Sequence, residues 1–424
     1  MLMSRSILVN KRALLQYIYI YISIQYIGGR VAEALGADWF GILCLSLSGV
    51  FILRHFRSFI SSPISTLCVI LLILMTVTVF LTSGGLSYGT VFSLLSRFMI
   101  VTVSIEIDRE QFINRFLKMS YLMACTSLLL FFMVQILGND TMYTLLFSHL
   151  FEIKSSNQWM PSSYGLFWIC YNYMNAARNS YMFGEPGEYQ MLINLALFFT
   201  IFARHEIRGR EKRRYLIVFI ATLVTIQSTT GFFNIIILAL ALLCSRSQYV
   251  TKRMKRVIVL VTLGVIVYVS FFLSENSMIY TQVIRKITDA STGGLNLAAE
   301  TGADRVTSIL DLIRIAKEQP LSLLFGVGYS GIVQLRGGFS CSGIVNTIIM
   351  LGVFTCLVLY STIIRSIVRF SPNKYAAFFI VFMIINNGLS QPDLLAITAV
   401  IVCCYNLILK EEGYKESVEI EEAI

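Results

Sequence analysis

Hydrophobic residues occur along this chain in long continuous runs separated by polar segments, and this pattern predicts membrane-spanning helices. A helix needs about 20 apolar residues, within a range of about 17–25, to cross a bilayer. Twelve runs approach that length, and a count of eleven to thirteen fits the same pattern because several runs are short and 215–244 also reads as one broken element. The predicted spans are 13–29, 35–53, 63–82, 90–107, 116–137, 189–203, 215–227, 231–244, 257–273, 343–364, 375–389 and 394–409.

The composition agrees with this interpretation. Hydrophobic residues make up 56% of the chain and charged residues only 14%, whereas soluble domains carry about 25% charge. The first apolar run follows basic residues and resembles a signal peptide, but further spans follow at once, so an uncleaved signal anchor is expected. The fold class expected is therefore an all-α polytopic integral membrane protein with about twelve transmembrane helices.

The positive charge indicates orientation. The chain has a net charge of +10, and most of its 34 Lys and Arg residues fall in connections on one predicted side, with dense blocks at 204–214 and 246–256. Cytoplasmic loops carry such an excess. Both termini are therefore expected in the cytoplasm, and the basic charge indicates topology rather than a nucleic-acid surface.

The spacing of the spans divides the chain into six parts. Two large loops lie on the outer side while the other connections are short, so the working surface is expected there. The parts are the N-terminal helices 1–137, the first large loop 138–188, the central helices 189–273, the second large loop 274–342, the C-terminal helices 343–409 and a polar tail 410–424.

The second large loop contains an amphipathic pattern over residues 304–319. Its apolar positions recur at helical spacing, which suits a helix lying on the bundle or the membrane surface. Arg305 and Arg314 lie on its polar face, Pro320 ends it, and a glycine-rich turn containing Tyr329 follows. The alternative interpretation of these cations is a solvated face of an interfacial helix.

The first large loop ends in a polar stretch directly before a span, Arg178-Asn-Ser-Tyr-Met-Phe-Gly-Glu-Pro-Gly-Glu-Tyr-Gln190. Charge close to lipid is costly and is rarely kept without a use. Pro186 lacks a backbone donor and Gly187 permits unusual dihedral angles, so the chain turns before the next helix begins. The alternative is a simple helix-start signal, because acidic residues favour the first turn of any helix.

These features together resemble the O-antigen polymerase (Wzy-type) family, within the O-antigen ligase and polymerase superfamily. The topology of the whole chain carries the resemblance, and the sharper motifs lie between residues 178 and 352. They are Arg178 followed by Gly184-Glu-Pro-Gly187, the helix break Ser228-Thr-Thr-Gly231, the amphipathic helix from Asp304 to Pro320 with its Gly326-Val-Gly328 turn, and Asn346 to Gly352 in the next span. The ligases carry a histidine before the last helices, where this chain has Ser340-Cys-Ser342, so the polymerase branch is favoured.

The resemblance implies a glycosyltransferase of lipopolysaccharide biosynthesis in the bacterial inner membrane. It would transfer a growing glycan from undecaprenyl pyrophosphate to a lipid-linked repeat unit on the periplasmic side, with a chain-length regulator as a candidate partner. The leaving pyrophosphate calls for arginines, which bind phosphate with two donors at once. The attacking hydroxyl calls for a carboxylate. The candidates are Glu185 and Glu188 for catalysis, and Arg178, Arg305, Arg314 and Tyr329 for substrate binding.

Other functions remain open on the sequence alone. They are an O-antigen ligase, a flippase for lipid-linked oligosaccharides, and a permease or sensor without glycan chemistry. A flippase is expected to line its cavity with charges from many spans. Here the spans are nearly free of charge apart from Arg97 in the middle of one, which is expected to pair within the bundle or to reach a lipid phosphate. No cofactor is expected, because the chain has no nucleotide-binding fingerprint, and no outer cluster of metal ligands is seen.

Overall fold

The computed structural model describes residues 2–60, 62–81, 88–154, 163–165, 171–172, 178–202, 207, 209–244, 256, 300–328, 331–332, 342–371, 373–391 and 397–408. Helices dominate these residues, as the apolar runs predict. The N-terminal helices are α1 (Leu2–Gln25), α2 (Arg30–Leu35), α3 (Ala37–Arg54), α4 (Phe56–Ile60), α5 (Pro63–Leu81), α6 (Tyr88–Glu106), α7 (Phe112–Leu137) and α8 (Asn139–Leu145). The later helices are α9 (Pro186–Phe202), α10 (Gly209–Ile226), α11 (Thr229–Cys244), α12 (Glu300–Glu318), α13 (Pro320–Phe325), α14 (Gly343–Phe370), α15 (Lys374–Ser390) and α16 (Ile397–Ile408).

The helices fit association with a membrane. Two of them, Phe112–Leu137 and Gly343–Arg369, are long and apolar enough to cross a bilayer, and further apolar helices are shorter. Large apolar side chains also cover the outer surface; Phe80 and Ile136 are 78% and 79% exposed. Soluble proteins rarely expose apolar surface on this scale. The all-α class is thus confirmed among the described residues, apart from one small sheet, and the predicted span at 257–273 lies outside them.

The centre of the bundle is α9, in which nearly every side chain is buried. It packs against α7, α10, α11 and α15, while α1, α3 and α6 form a neighbouring group. A helix that is apolar on all sides belongs in an interior. The polar turn at residues 178–188 therefore leads directly into the most enclosed helix described.

The bundle has two chemically different ends. Arg12 on α1 meets Ile107 after α6, and Arg115 on α7 pairs with Asp108 at 2.8 Å, so these basic residues share one end, called the basic end. At the opposite end the backbone amide of Gly184 donates to the carbonyl of Gly28 at 3.2 Å. This is called the loop end, and it carries the turn that precedes α9.

The first large loop contains a sheet that the helical pattern does not predict. Three antiparallel strands pair in the order β1 (Glu152–Ile153), β2 (Ser163–Tyr164) and β3 (Tyr171–Asn172). Aromatic rings hold it to the helical segment before it, since Phe147 stacks on Tyr171 with centroids 4.2 Å apart. Two-residue strands leave no alternating pattern long enough to identify in a sequence.

The glycine-rich turn of the second loop docks on a break in α14. Gly352 interrupts that helix with φ 80° and ψ 160°, and a Cβ placed on it would lie 2.4 Å from the Leu324 carbonyl oxygen and 2.6 Å from the Gly326 amide nitrogen. The amide of Val327 donates to the Ile349 carbonyl at 2.9 Å. The two backbones therefore touch, which requires glycine on both sides.

Candidate functional site

The turn before α9 is closed by a reciprocal cap. Glu185 is the residue before the helix, and its carbonyl accepts from the amides of Glu188 at 3.1 Å and Tyr189 at 3.3 Å. In return, Oε2 of Glu188 accepts from the amide of Glu185 at 3.1 Å. This is one half of a capping box: the side chain at the third helical position accepts from the amide of the residue before the helix. Glu188 therefore has the helix-start role that the sequence offered as its alternative.

Glu188 also lies against the chain segment that follows α1. A Cβ on Gly28 would lie 2.2 Å from the Glu188 carboxylate carbon, and Gly28 has φ +108°. The amide of Arg30 donates to the Met182 carbonyl at 3.0 Å, which ties the segment 28–30 to the turn. Only glycine leaves room for the carboxylate at this crossing.

Arg30 is the functional candidate that the sequence pattern missed. Its side chain is 2% exposed. The position that a Cβ on Gly184 would occupy is 3.1 Å from Oε2 of Glu188 and 3.9 Å from Cζ of Arg30. The Arg30 guanidinium and the Glu188 carboxylate are thus neighbours at the loop end. A buried charge is costly unless a group of opposite charge lies close to it. The signal in the sequence was the Gly28-Gly29-Arg30 run at the end of the first apolar segment.

Arg178 joins the same turn to the break between α10 and α11. Its Nε donates to the Ile226 carbonyl at 3.3 Å and its Nη2 to the Gln227 carbonyl at 3.0 Å. Burial lowers the pKa of Arg178, and the negative charge of Glu185 opposes that shift. An arginine stays protonated even so, so Arg178 is a cation that faces Glu185 without a direct ion pair.

The backbone is strained on both sides of this contact. Tyr181 has φ 50° and Gln227 has φ 51°, a left-handed region that non-glycine residues rarely adopt. Such residues cost of the order of 1–3 kcal/mol each and collect at active sites and ligand clamps. Here they hold Arg178 between the turn and the helix break.

Below the charged turn, side-chain amides from three helices form a buried hydrogen-bonded group, called the amide cluster. Gln190 on α9 donates to Oδ1 of Asn387 on α15 at 2.8 Å, and Asn234 on α11 donates to the same atom at 3.2 Å. Asn194 donates to Oε1 of Gln190 at 2.6 Å, and Asn386 to Oδ1 of Asn234 at 2.8 Å. The cluster fixes the three helices relative to one another directly beneath the site.

The structure brings three predicted site residues together: Arg178, Glu185 and Glu188. Glu185 is the exposed one. Arg314 is an exposed residue of α12, where it pairs with Asp311 at 3.3 Å within its own helix. The backbone of Arg305 also belongs to α12, whereas its side chain and all of Tyr329 lie outside the described part of the chain.

Arg97 makes a contact inside the bundle. Its Cζ lies 5.3 Å from the centroid of the Tyr26 ring, and the Tyr26 hydroxyl bonds to Ser96. A guanidinium over an aromatic face is stabilised by the ring quadrupole. Arg97 therefore packs within the bundle.

Metal ligands do not gather within the described ranges: no group of three His, Cys, Asp or Glu side chains that could hold an ion is found there. Searches against protein-family models, curated proteins and solved structures found no match to the chain.

Proposed function

We propose that this protein is an integral membrane glycosyltransferase of the polysaccharide-polymerase type. It transfers a growing glycan from undecaprenyl pyrophosphate to a lipid-linked repeat unit at the periplasmic face of the bacterial inner membrane. The observation that supports this proposal is the assembly of Arg30, Arg178, Glu185 and Glu188 at the loop end, above the most buried helix. Release of the pyrophosphate needs arginine cations and activation of the hydroxyl needs a carboxylate, so the reaction needs both residue types side by side.

The two ends of the bundle support the orientation in this proposal. Basic residues mark the cytoplasmic side of membrane proteins, and Arg12 and Arg115 lie at the basic end. The last described helix, α16, places Tyr405 beside Phe112 at the start of α7, with ring centroids 6.0 Å apart. In this proposal the N-terminal end of α1 and the C-terminal end of α16 lie on the cytoplasmic side, and the loop end faces the periplasm.

The reaction proposed is a displacement at the anomeric carbon of the donor glycan. A hydroxyl oxygen of the acceptor sugar forms the new bond to that carbon, and the bond to the pyrophosphate oxygen breaks. The hydroxyl proton passes to a carboxylate, and undecaprenyl pyrophosphate leaves with the bonding electron pair. The protein must therefore supply one accessible carboxylate and cations near the departing phosphates.

Glu185 is the carboxylate proposed to accept the proton. It is exposed at the helix start, and its side-chain carboxylate takes no part in the cap, which uses the Glu185 backbone and Oε2 of Glu188. The Arg178 cation lies close enough to Glu185 for the two charges to interact. Glu188 and Arg30 then act as positioning residues that hold the turn against the segment 28–30.

Phosphate binding is assigned first to Arg178. Its Nε and Nη2 donate to backbone carbonyls, and its Nη1 is proposed to donate to the phosphate. Arg305 and Arg314, with Tyr329, are proposed to contact the donor from the second large loop. The exposed position of Arg314 on α12 suits that role. A long loop that closes over a bound substrate is a common way to exclude water.

The test is a lipopolysaccharide gel on cells that lack the gene, complemented with wild type, Glu185→Gln or Glu110→Gln. Glu110 is an exposed carboxylate between α6 and α7, so its replacement is the matched control. We expect a single repeat on the lipid core in the deletion strain, a full ladder with wild type and Glu110→Gln, and loss of the ladder with Glu185→Gln. Removal of a general base lowers rates by about 10²–10⁴-fold.

Other outcomes would replace the proposal. If no repeat reaches the lipid core in the deletion strain, a ligase or flippase function is favoured instead. A normal ladder in the deletion strain would remove the chain from this pathway. A full ladder with Glu185→Gln would exclude Glu185 as the proton acceptor while leaving the pathway assignment intact.

A further inference from the structure

A cleft of about 300 Å³ opens at the basic end, away from the site described above. It is bounded by α1, α3, α4 and the ends of α5 and α6. Its ionisable side chains are Arg12, His55 and Glu106, and most of its other lining residues are apolar, with Leu15 and Phe51 among them. Pockets for small ligands begin at about this size, roughly 300–1,000 Å³.

One wall of the cleft is fixed by hydrogen bonds to backbone carbonyls. Nε of Arg12 donates to the Ile107 carbonyl, which leaves both Nη groups for a ligand. One turn further along α1, Nε2 of Gln16 donates to the carbonyls of Ser104 at 2.8 Å and Asp108 at 2.9 Å. Arg12 is therefore held over the end of α6 before any ligand binds.

The opposite wall presents His55 at the junction of α3 and α4. Its Nδ1 bonds to the Phe51 carbonyl at 3.1 Å, and its ring stacks on Phe51 with centroids 4.5 Å apart. A carbonyl oxygen can only accept, so the proton is on Nδ1 and Nε2 is turned to other partners. Nε2 is therefore the ring atom of His55 that can hydrogen-bond to a ligand.

The negative charge of Glu106 in the cleft is neutralised by a neighbouring arginine. Glu106 is bound by Arg109 through two nitrogens, with Nε to Oε2 at 2.8 Å and Nη2 to Oε1 at 2.9 Å. A bidentate pair of this kind neutralises the carboxylate with fixed geometry. The remaining charge among the lining side chains is that of Arg12, so the cleft favours an anion.

The surface around the cleft is apolar. Leu14 on α1 is 63% exposed, Leu53 on α3 is 73% exposed, and Phe56 and Ile60 at the two ends of α4 are 52% and 54% exposed. Hydrocarbon chains match such a surface, whereas a free polar metabolite would leave it uncovered. Anionic lipids are attracted to basic residues at a membrane surface.

We propose that this cleft binds the phosphate of an anionic phospholipid head group between Arg12 and His55. The acyl chains run along the exposed faces of α1 and α3. The cleft holds the head group alone, because its volume of about 300 Å³ leaves no room for the chains. This site is independent of the chemistry at the loop end.

The experiment uses the full chain, reconstituted in nanodiscs of phosphatidylcholine with or without phosphatidylglycerol. Phosphatidylglycerol retained after transfer to mild detergent is counted by native mass spectrometry for wild type, Arg12→Gln, His55→Gln and Lys11→Gln. Lys11 is an exposed cation next to Arg12 but does not line the cleft, so it is the matched control. We expect about fivefold weaker retention for Arg12→Gln, because it loses charge-assisted hydrogen bonds to the phosphate. The loss for Lys11→Gln should be less than about twofold, because Lys11 does not line the cleft and makes no such bonds.

A second variant tests the cavity without changing charge. Leu15→Trp fills the cleft from a residue that is 42% exposed and outside the core, and we expect it also to lower retention. Equal losses for Lys11→Gln and Arg12→Gln would overturn the proposal, since they would indicate a diffuse surface effect. Stabilisation of the detergent-solubilised protein by inorganic phosphate as large as that by phosphatidylglycerol would assign the cleft to a free anion instead.

Discussion

The contact between Gly326 and Gly352 gives the sharpest quantitative prediction. Gly352→Ala imposes two separate costs. Its dihedral angles, φ 80° and ψ 160°, belong to a region that only glycine adopts readily, which costs of the order of 1–3 kcal/mol for another residue. The new Cβ would also lie 2.4 Å from the Leu324 carbonyl oxygen, and relieving such overpacking of backbone adds about 1–3 kcal/mol.

Gly138→Ala separates the two costs. Gly138 has nearly the same angles, φ 84° and ψ 154°, but nothing lies within 4 Å of the position of its Cβ. The free energy of unfolding is measured for both variants in mixed detergent micelles with increasing SDS. We expect Gly352→Ala to be less stable than Gly138→Ala by about 1–3 kcal/mol, which is the cost of the clash alone. Equal losses, within about 0.5 kcal/mol, would refute the close contact between the two backbones.

Three further predictions concern hydrogen bonds at helix ends and in the core. Asn373→Ala removes the acceptor for the amides of Tyr375 and Ala376, and we expect unfolding free energy to fall by about 0.5–2 kcal/mol, whereas Asn373→Ser should retain most of it. Asn387→Leu leaves the buried Gln190 amide without its acceptor, so a loss of about 1–3 kcal/mol is expected in the same unfolding assay; a neutral result would contradict the amide cluster. Glu188→Gln keeps an oxygen for the cap but removes the negative charge beside the buried Arg30, so we expect a loss of about 3–5 kcal/mol. Glu188→Ala should lose about 1 kcal/mol more, because it also removes the cap; a stability of Glu188→Gln equal to wild type would contradict the charge pairing.

The helices are the part of the fold that the sequence predicts well. A run of about 20 apolar residues leaves the chain few alternatives, and prolines set boundaries: α5 begins at Pro63, and α12 ends just before Pro320 as predicted. Helix ends were less accurate, because polar first turns such as that of α10 extend beyond the apolar run. The full extent of the last span, 394–409, and the count of about twelve spans stay predictions.

The candidate site was predicted only where its residues are neighbours in sequence. Glu185 and Glu188 share one turn, so their proximity follows from chain geometry. Arg30 joins them through backbone pairing of the segment after α1 with Met182 and Gly184, which no local pattern reveals. The sequence also assigned Arg178 to phosphate alone, whereas two of its nitrogens bind carbonyls at the α10–α11 break.

The amide cluster has a consequence for biosynthesis. Gln190 and its acceptor Asn387 are separated by 197 positions in the chain, and translation proceeds at about 5–20 residues per second, so α9 is made roughly 10–40 s before that partner. A polar amide in lipid without a partner is costly. If the bundle is inserted into a membrane as proposed above, α9 is expected to remain beside the insertion machinery or a temporary partner until α15 emerges. Nascent chains stalled before residue 387 should then expose α9 to crosslinking.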